Sequence, residues 1–125
     1  MGQELPPEAQ EKLEKLQELQ QQLSQLSLQK QQSEERLKET ERASELLDET
    51  DDDATVYRSV GDVLVESDRD ETVDDLEDER ETLEVRVDSL ESREEKAKQQ
   101  FEELRDEVQQ LLGGGLGGGL GGAAQ

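Results

Sequence analysis

Residues 55–66 decide the fold of this chain, and they read Thr55-Val56-Tyr57-Arg58-Ser59-Val60-Gly61-Asp62-Val63-Leu64-Val65-Glu66. β-Branched and aromatic residues are concentrated in this segment, which predicts two short strands. Gly61-Asp62 is suited to a two-residue turn, because glycine supplies the positive φ that a type II′ turn requires. We therefore predict a β-hairpin over residues 55–66.

The turn sets the register of the two strands. Val60 then pairs with Val63 beside the turn, and Arg58 pairs with Val65 further out. Paired residues face the same side of a hairpin, so one face carries four valines: Val56, Val60, Val63 and Val65.

An isolated two-stranded hairpin is marginal in water, and no other part of this sequence offers further strands or cover for the valine face. We therefore predict that the hairpin is an oligomerisation element that closes a β-sheet between chains. The residues assigned to this role are Val56, Tyr57, Val60, Gly61, Val63, Leu64 and Val65.

A heptad pattern precedes the hairpin. Pro6-Pro7 favours a helix start, since proline at the first helical position loses no hydrogen bond. From there the pattern predicts a helix over residues 7–49. Its two seam positions are occupied by Leu16, Leu23, Lys30, Leu37 and Ser44, and by Leu19, Leu26, Ser33, Thr40 and Leu47. The seam is apolar in its first half and polar in its second half, which we expect to hold the helices loosely.

A second heptad pattern follows the hairpin and predicts a helix over residues 69–112. Asp68 and Glu71 have the spacing of a capping box at its start. Its seam positions are Val73, Arg80, Val87, Glu94, Phe101 and Val108, with Leu76, Leu83, Leu90, Ala97, Leu104 and Leu111. The second of these positions is apolar throughout, which argues against disorder.

The two helices have similar lengths, and each would extend on the order of 65 Å at 1.5 Å per residue. Equal arms and a compact connector favour an antiparallel pair. The predicted fold is therefore mainly α, a long antiparallel two-helix coiled coil with one central β-hairpin that joins an intersubunit β-barrel. Residues 1–112 form one unit. Residues 113–125 are Gly/Leu-rich, and we predict a flexible tail whose leucines have no role or make weak apolar contacts near the helix ends.

Composition excludes several classes of protein. Only 29% of the residues are apolar, and 14 Lys and Arg stand against 35 Asp and Glu, for a net charge of −21. Such a charge repels nucleic acid and anionic membranes, so neither is expected as a partner. Disorder is the simplest interpretation of this composition, but the heptads oppose it. Adaptation of the surface to molar intracellular salt accounts for acidity and periodicity together.

The sequence contains no arrangement of residues that is typical of a catalyst. It has no Cys and no His, and its many carboxylates lie on predicted exposed helix faces that do not shift a pKa. Asp51-Asp52-Asp53 could suggest a cation site, but the ligand spacing of a calcium loop is absent, which favours a solvated helix terminator. We therefore expect no enzymatic activity, no cofactor and no metal. Met1 to Leu5 has neither the charge nor the apolar run of a signal peptide, so we expect a cytoplasmic protein.

Apolar residues exceed the needs of the seam where the two chain ends meet. Leu5, Leu13 and Leu112 fall outside the seam, and we expect them to stay exposed. This excess fits a binding surface for other proteins, although single surface leucines at fraying helix ends are also ordinary. Leu28 and Val85 also lie off the seam, and the heptads do not explain them.

The order helix, hairpin, helix over roughly Leu5 to Leu112 resembles the beta-type subunits of archaeal prefoldin. The most specific stretch is Val56 to Val65, with its aromatic residue, basic residue and Val-Gly turn. Gln29-Lys30-Gln31 and Thr82-Leu83-Glu84-Val85-Arg86 are also similar to the helices of that family. A single hairpin indicates the beta type, because alpha-type subunits carry two.

The resemblance implies a hexamer of two alpha-type and four beta-type subunits, whose hairpins close into a double β-barrel. It also implies a chaperone without nucleotide, which holds unfolded polypeptide at the coiled-coil tips and passes it to a group II chaperonin. The residues assigned to the tip are Leu5, Leu13, Leu16, Leu19, Phe101, Leu104, Val108, Leu111 and Leu112. The alternative function is a purely structural coiled coil, a scaffold or spacer whose tips bind nothing.

The net charge makes a prediction about salt. Self-repulsion between carboxylates opposes compact helices, and dissolved ions screen it. Helix content and assembly should therefore rise as KCl increases from low to molar concentration, as measured by circular dichroism. Flat helix content across that range would contradict the adaptation to salt.

Overall fold

The computed structural model describes residues 5–116 and contains two long helices around one antiparallel hairpin. The elements are α1 (Pro7–Asp48), β1 (Val56–Val60), β2 (Val63–Ser67) and α2 (Arg69–Leu116). The predicted mainly α class, element order and hairpin are confirmed. The chain divides into two compact units. The end unit consists of Met1–Leu28 with Glu91–Gln125, and the hairpin unit consists of Gln29–Leu90.

The end of α2 differs from the prediction. The helix continues to Leu116, whereas the sequence predicted its end at Leu112 and a flexible tail from Gly113. The amides of residues 113–116 can donate to the carbonyls of residues 109–112, one turn earlier, and each glycine adds only about 1 kcal/mol of helix penalty relative to alanine. Residues 117–125 lie outside the described part of the chain, so a flexible tail stays a prediction for them.

Both helices begin as the sequence predicts. Pro7 is the first residue of α1, and the amide of Gln10 donates to the carbonyl of Pro6 at 3.0 Å. At the start of α2, Oδ2 of Asp68 accepts a hydrogen bond from the amide of Glu71 at 3.0 Å. Asp68 therefore caps the helix, and its charge lies at the positive end of the helix dipole.

In the end unit, the buried residues follow the predicted heptads. Leu19 and Leu26 of α1 are buried, as are Ala97 and Val108 of α2. Ala9 is also fully buried, one heptad before Leu16, so the seam extends further toward the start of α1 than the leucines indicated. Nearby, Nζ of Lys12 lies 3.4 Å from Oε1 of Glu107, which brings the first turns of α1 beside the last turns of α2.

In the hairpin unit, the buried seam residues are apolar on α2 and polar on α1. Leu83, Val87 and Leu90 are buried on α2, whereas Ser33 and Thr40 are buried on α1. The Thr40 hydroxyl donates to the carbonyl of Arg36 at 2.9 Å, so it is buried without an unsatisfied donor. Small polar side chains fill less space than leucine, and a shallow groove opens beside Ser33.

The helices of the hairpin unit are antiparallel. Arg36 of α1 places Nη2 2.9 Å from Oε1 of Glu79 of α2. Closer to the connector, Nη2 of Arg69 donates to the carbonyl of Leu47 at 2.8 Å. The contacts move forward along α1 as they move back along α2, which confirms the predicted direction within this unit.

Arg80 occupies a seam position of α2 and is neutralised by its own helix. Its Nη1 lies 2.6 Å from Oε1 of Glu84, and its guanidinium also donates to Glu77. That hydrogen bond lowers the pKa of Glu77 below the ordinary value of a glutamate. Charge at the seam is therefore balanced by neighbours three and four residues away.

The end of α1 and the start of α2 are joined by Arg69. Besides Leu47, its guanidinium approaches Oγ1 of Thr50 at 3.3 Å and Oδ1 of Asp52 at 3.5 Å. The carbonyl of Leu47 is in the last turn of α1, where carbonyls lack helical partners and a cation is favourable. The mostly buried Arg69 side chain thus fixes how the connector leaves the helix.

We predict that Arg69→Ala loosens this junction, because one change removes the hydrogen bond to Leu47 and the contacts to Thr50 and Asp52. The expected loss of local stability is about 1–2 kcal/mol. Hydrogen exchange measured by mass spectrometry should show faster exchange over residues 45–72, with Arg42→Ala, an exposed arginine of α1, as control. Equal exchange in the two variants would contradict this role of Arg69.

Candidate functional site

The hairpin has the register that the sequence predicted. Val60 pairs with Val63, and Arg58 pairs with Val65. Gly61 has φ of +61°, and it is the only described residue with a positive φ, so Asp62 has a negative φ. Positive φ at the first turn position alone is the pattern of a type II′ turn.

Most of the hairpin's apolar residues are not covered by the rest of residues 5–116. On the valine face, Val56 is buried, but Val60, Val63 and Val65 are exposed. Tyr57 and Leu64 lie on the opposite face and are exposed as well. We call these five exposed residues, Tyr57, Val60, Val63, Leu64 and Val65, the hairpin surface; each is 48% to 68% exposed.

The hairpin surface has a considerable hydrophobic driving force. Burial of one Val or Leu side chain contributes roughly 1.5–3 kcal/mol, so covering five side chains that are about half exposed would contribute on the order of 5 kcal/mol per chain. Scattered single apolar residues are common on protein surfaces, but contiguous ones mark interaction sites. The hairpin surface is therefore the strongest candidate for a contact with another protein.

The strand edges add a second means of contact. Within residues 5–116, β1 and β2 pair only with each other, so each strand has one edge without a ladder partner. Such an edge offers backbone donors and acceptors to a further strand. Apolar faces and open edges together are suited to a sheet completed by other chains.

The base of the hairpin is fixed to α2. Nη1 of Arg58 donates to Oδ2 of Asp75 at 2.9 Å. The hydroxyls of Ser67 and Thr72 lie 2.8 Å apart, and Val56 is buried at the same end of the hairpin. The base is thus held by polar and apolar contacts, while the turn end projects its apolar residues outward.

At the helix ends, the structure changes one expectation. Leu5, Leu13 and Leu112 are half-buried, whereas the sequence predicted that they stay exposed. Leu5 lies two heptads before Leu19 in the same seam column, and Leu13 and Leu112 each directly follow a seam position. Side chains that flank a seam lean against the partner helix, which removes part of their surface from water.

The remaining residues assigned to the tip belong to the seam. Val108 and Leu19 are buried, and four others are half-buried: Leu16, Phe101, Leu104 and Leu111. Their partial exposure leaves some apolar surface near the helix ends. Whether the helix ends bind other proteins stays a prediction.

The structure also places the other residues that the sequence singled out. Leu28 and Val85 are exposed, in agreement with their place outside the seam, and Leu46 is exposed as well. Asp51 begins a turn in which its carbonyl accepts a hydrogen bond from the amide of Ala54 at 3.0 Å. Within residues 5–116, no three acidic side chains come together as a group that could hold a metal ion.

Among the described residues, neither helix combines the length and the apolar content that a bilayer span needs.

Sequence reasoning missed the contacts of Arg58 and Arg69. The sequence shows Arg58 among the apolar residues of a strand and Arg69 between two aspartates, and neither setting identifies the partners. Their partners are Asp75, Leu47, Thr50 and Asp52, which come close only after the hairpin and helices fold. The opposite apolar face, with Tyr57 and Leu64, was visible in the strand alternation.

Comparison with known proteins agrees with this architecture. Residues 10–115 match the family described as prefoldin subunit. A prefoldin subunit beta from Methanococcoides burtonii is 42% identical over 113 residues, which cover 90% of this chain and 97% of the relative. The crystal structure of the prefoldin beta subunit from Thermococcus strain KS-1 is similar with a TM-score of 0.77 and 37% identity, and covers 88% of this chain and 96% of that one. The crystal structure of the prefoldin beta2 subunit from the same strain is similar with a TM-score of 0.63 and 27% identity. That match covers 71% of this chain and 95% of the beta2 subunit.

The family match covers most of the chain, and the relative and the first of the two structures are covered almost completely. These matches confirm the resemblance to beta-type prefoldin subunits that the hairpin and the helices indicated. The chain therefore belongs to the prefoldin subunit family of chaperones, as a beta-type subunit.

Proposed function

We propose that this chain is a subunit of an ATP-independent holdase in the cytoplasm, which binds unfolded proteins at its coiled-coil tips and delivers them to a group II chaperonin. Membership of the prefoldin family supports a chaperone made of several kinds of subunit. The single observation that carries the assembly on which this proposal depends is the uncovered hairpin surface, because it gives a physical reason for several arms to gather at one base.

The assembly that we propose contains two alpha-type and four beta-type subunits. Their hairpins pair edge to edge and close into β-barrels, which satisfies the open strand edges and buries the apolar faces. A closed sheet removes the edges that would otherwise recruit further chains, so assembly stops at a defined size. The acidic helices, with a net charge of −21 per chain, repel one another away from this base.

The proposed grip on clients uses many weak contacts. The leucines and Phe101 at the helix ends are buried or half-buried, so each chain offers only a modest apolar surface. Several such surfaces on one particle raise the overall affinity far above that of a single arm. Shallow contacts also suit clients without a fixed shape, since a rigid complementary pocket would select one partner. Release needs no nucleotide, because each contact is weak and reversible.

The alternative function is a purely structural coiled coil. In that case the hairpin could still assemble the particle, but the helix ends would bind nothing. The exposed hairpin surface fits both functions, so the helix ends must distinguish them.

We predict that Val63→Asp abolishes assembly. The carboxylate would enter the buried centre of the sheet between chains without a partner there, at a cost of several kcal/mol. Native mass spectrometry of the chain mixed with an archaeal prefoldin alpha-type subunit should show a hexamer for the unmodified chain and none for the variant. Val85→Asp is the control, since it puts the same charge at an exposed valine on α2. A hexamer that survives Val63→Asp would contradict assembly through the hairpin.

We also predict that Leu13→Ser combined with Leu112→Ser weakens the holding of clients. Both side chains flank the seam and are half-buried, so the helix pair should survive while the apolar surface at the ends shrinks. Light scattering should show that suppression of a client's aggregation needs about threefold more chaperone. The effect is this large because the weakened contact is repeated several times in one particle. Leu28→Ser is the control. Unchanged suppression by an intact hexamer would favour the structural scaffold.

A further inference from the structure

The valine face of the hairpin contains one charged residue. Arg58 lies between Val56 and Val60 on β1 and is paired with Val65 on β2. The remaining position of this face is Ser67, whose hydroxyl is in contact with Thr72. Arg58 therefore places a cation inside the surface that the proposed assembly would cover.

In the single chain, the charge of Arg58 destabilises the fold very little. Arg58 is paired with Asp75 at 2.9 Å, and both side chains are almost half exposed, so water shares in their solvation. Exposed ion pairs of this kind contribute little to stability. The pair therefore helps to hold the hairpin against α2, but it adds little to the stability of the isolated subunit.

Assembly changes the surroundings of Arg58. Another hairpin that covers Val60, Val63 and Val65 would also remove water from the guanidinium beside them. A guanidinium that loses water without a counter-charge is strongly destabilising, whereas one that already holds a carboxylate is tolerated. Asp75 supplies this carboxylate from α2, outside the strands and outside the valine face.

We propose that the Arg58–Asp75 pair is a determinant of assembly, in which Asp75 neutralises the single cation of the valine face so that the hairpin of another prefoldin subunit can cover it. This inference rests on the proposed function, because it requires that the valine face is covered in the particle. It assigns to Asp75 a role in assembly although Asp75 lies on a helix and not on the hairpin.

A second ion pair of the hairpin unit provides a matched control. Arg36 and Glu79 also lie 2.9 Å apart and are also exposed, but they join α1 to α2 and lie outside the hairpin surface. Removal of either acid changes the net charge by the same amount. Any difference between the two changes therefore comes from the location of the pair.

Two roles of Asp75 give different expectations: it cancels the charge of Arg58, or it only positions the hairpin. If Asp75 only positioned the hairpin, removal of both charged groups would be at least as harmful as removal of one. If Asp75 cancels the charge of Arg58, then Arg58→Met should rescue the loss of Asp75, because an apolar side chain of similar length can be covered without a counter-charge.

The test compares Asp75→Asn, Asp75→Asn with Arg58→Met, Glu79→Gln and Val63→Asp in the full chain. Each is mixed with an archaeal prefoldin alpha-type subunit at one KCl concentration, and the assembled fraction is measured by analytical ultracentrifugation. Asp75→Asn should weaken assembly about tenfold or more, since it leaves a charge buried without its partner. The double variant should recover most of that loss, and Glu79→Gln should assemble like the unmodified chain. Circular dichroism should show equal helix content in all of them.

Each other result overturns a distinct statement. Normal assembly of Asp75→Asn, while Val63→Asp prevents assembly, would overturn the role of Asp75 and leave the proposed function in place. A double variant as weak as Asp75→Asn would overturn cancellation of charge. Normal assembly of Val63→Asp would overturn the proposed function itself.

Discussion

The hairpin is apolar on both faces, and within residues 5–116 both of its edges are open and only its base is covered. This constraint governs the rest of the structure. A two-stranded sheet is marginal in water, yet five of its apolar side chains stay exposed in the single chain. Most apolar residues of the helices lie in a narrow seam, and within residues 5–116 the helices leave these five side chains uncovered. In the proposed particle other subunits would cover these side chains, which would link the stability of the turn end to assembly.

Three arginines join separate elements of the hairpin unit. Arg36 joins the two helices, Arg58 joins the hairpin to α2, and Arg69 joins the connector to the last turn of α1. In a chain with a net charge of −21, each cation has many acidic residues available as partners. A planar guanidinium can contact several acceptors at once, which suits junctions between elements better than an ammonium group. Added salt weakens exposed ion pairs of this kind. It also weakens the repulsion among the acidic residues.

Much of the fold could be predicted from the sequence because its signals are local. Heptads identified both helices and their seams, Asp68 marked the start of α2, and Gly61 fixed the hairpin register. The prediction failed where local signals compete. A run of glycines suggested a break after Leu112, but the helix continues to Leu116. Leu5, Leu13 and Leu112 looked like surplus residues, yet packing against the seam partly buries them. The partners of Arg58 and Arg69 depend on tertiary geometry, which periodicity does not contain.

These features lead to one claim: the hairpin is incomplete alone and is completed between subunits. Hydrogen exchange of the hairpin amides, compared between the free chain and the chain mixed with an archaeal prefoldin alpha-type subunit, tests this claim most directly. The account predicts strong protection of residues 56–67 in the assembled particle, including amides at the strand edges that have no ladder partner within residues 5–116. A particle that forms while exchange of these amides is unchanged would contradict it.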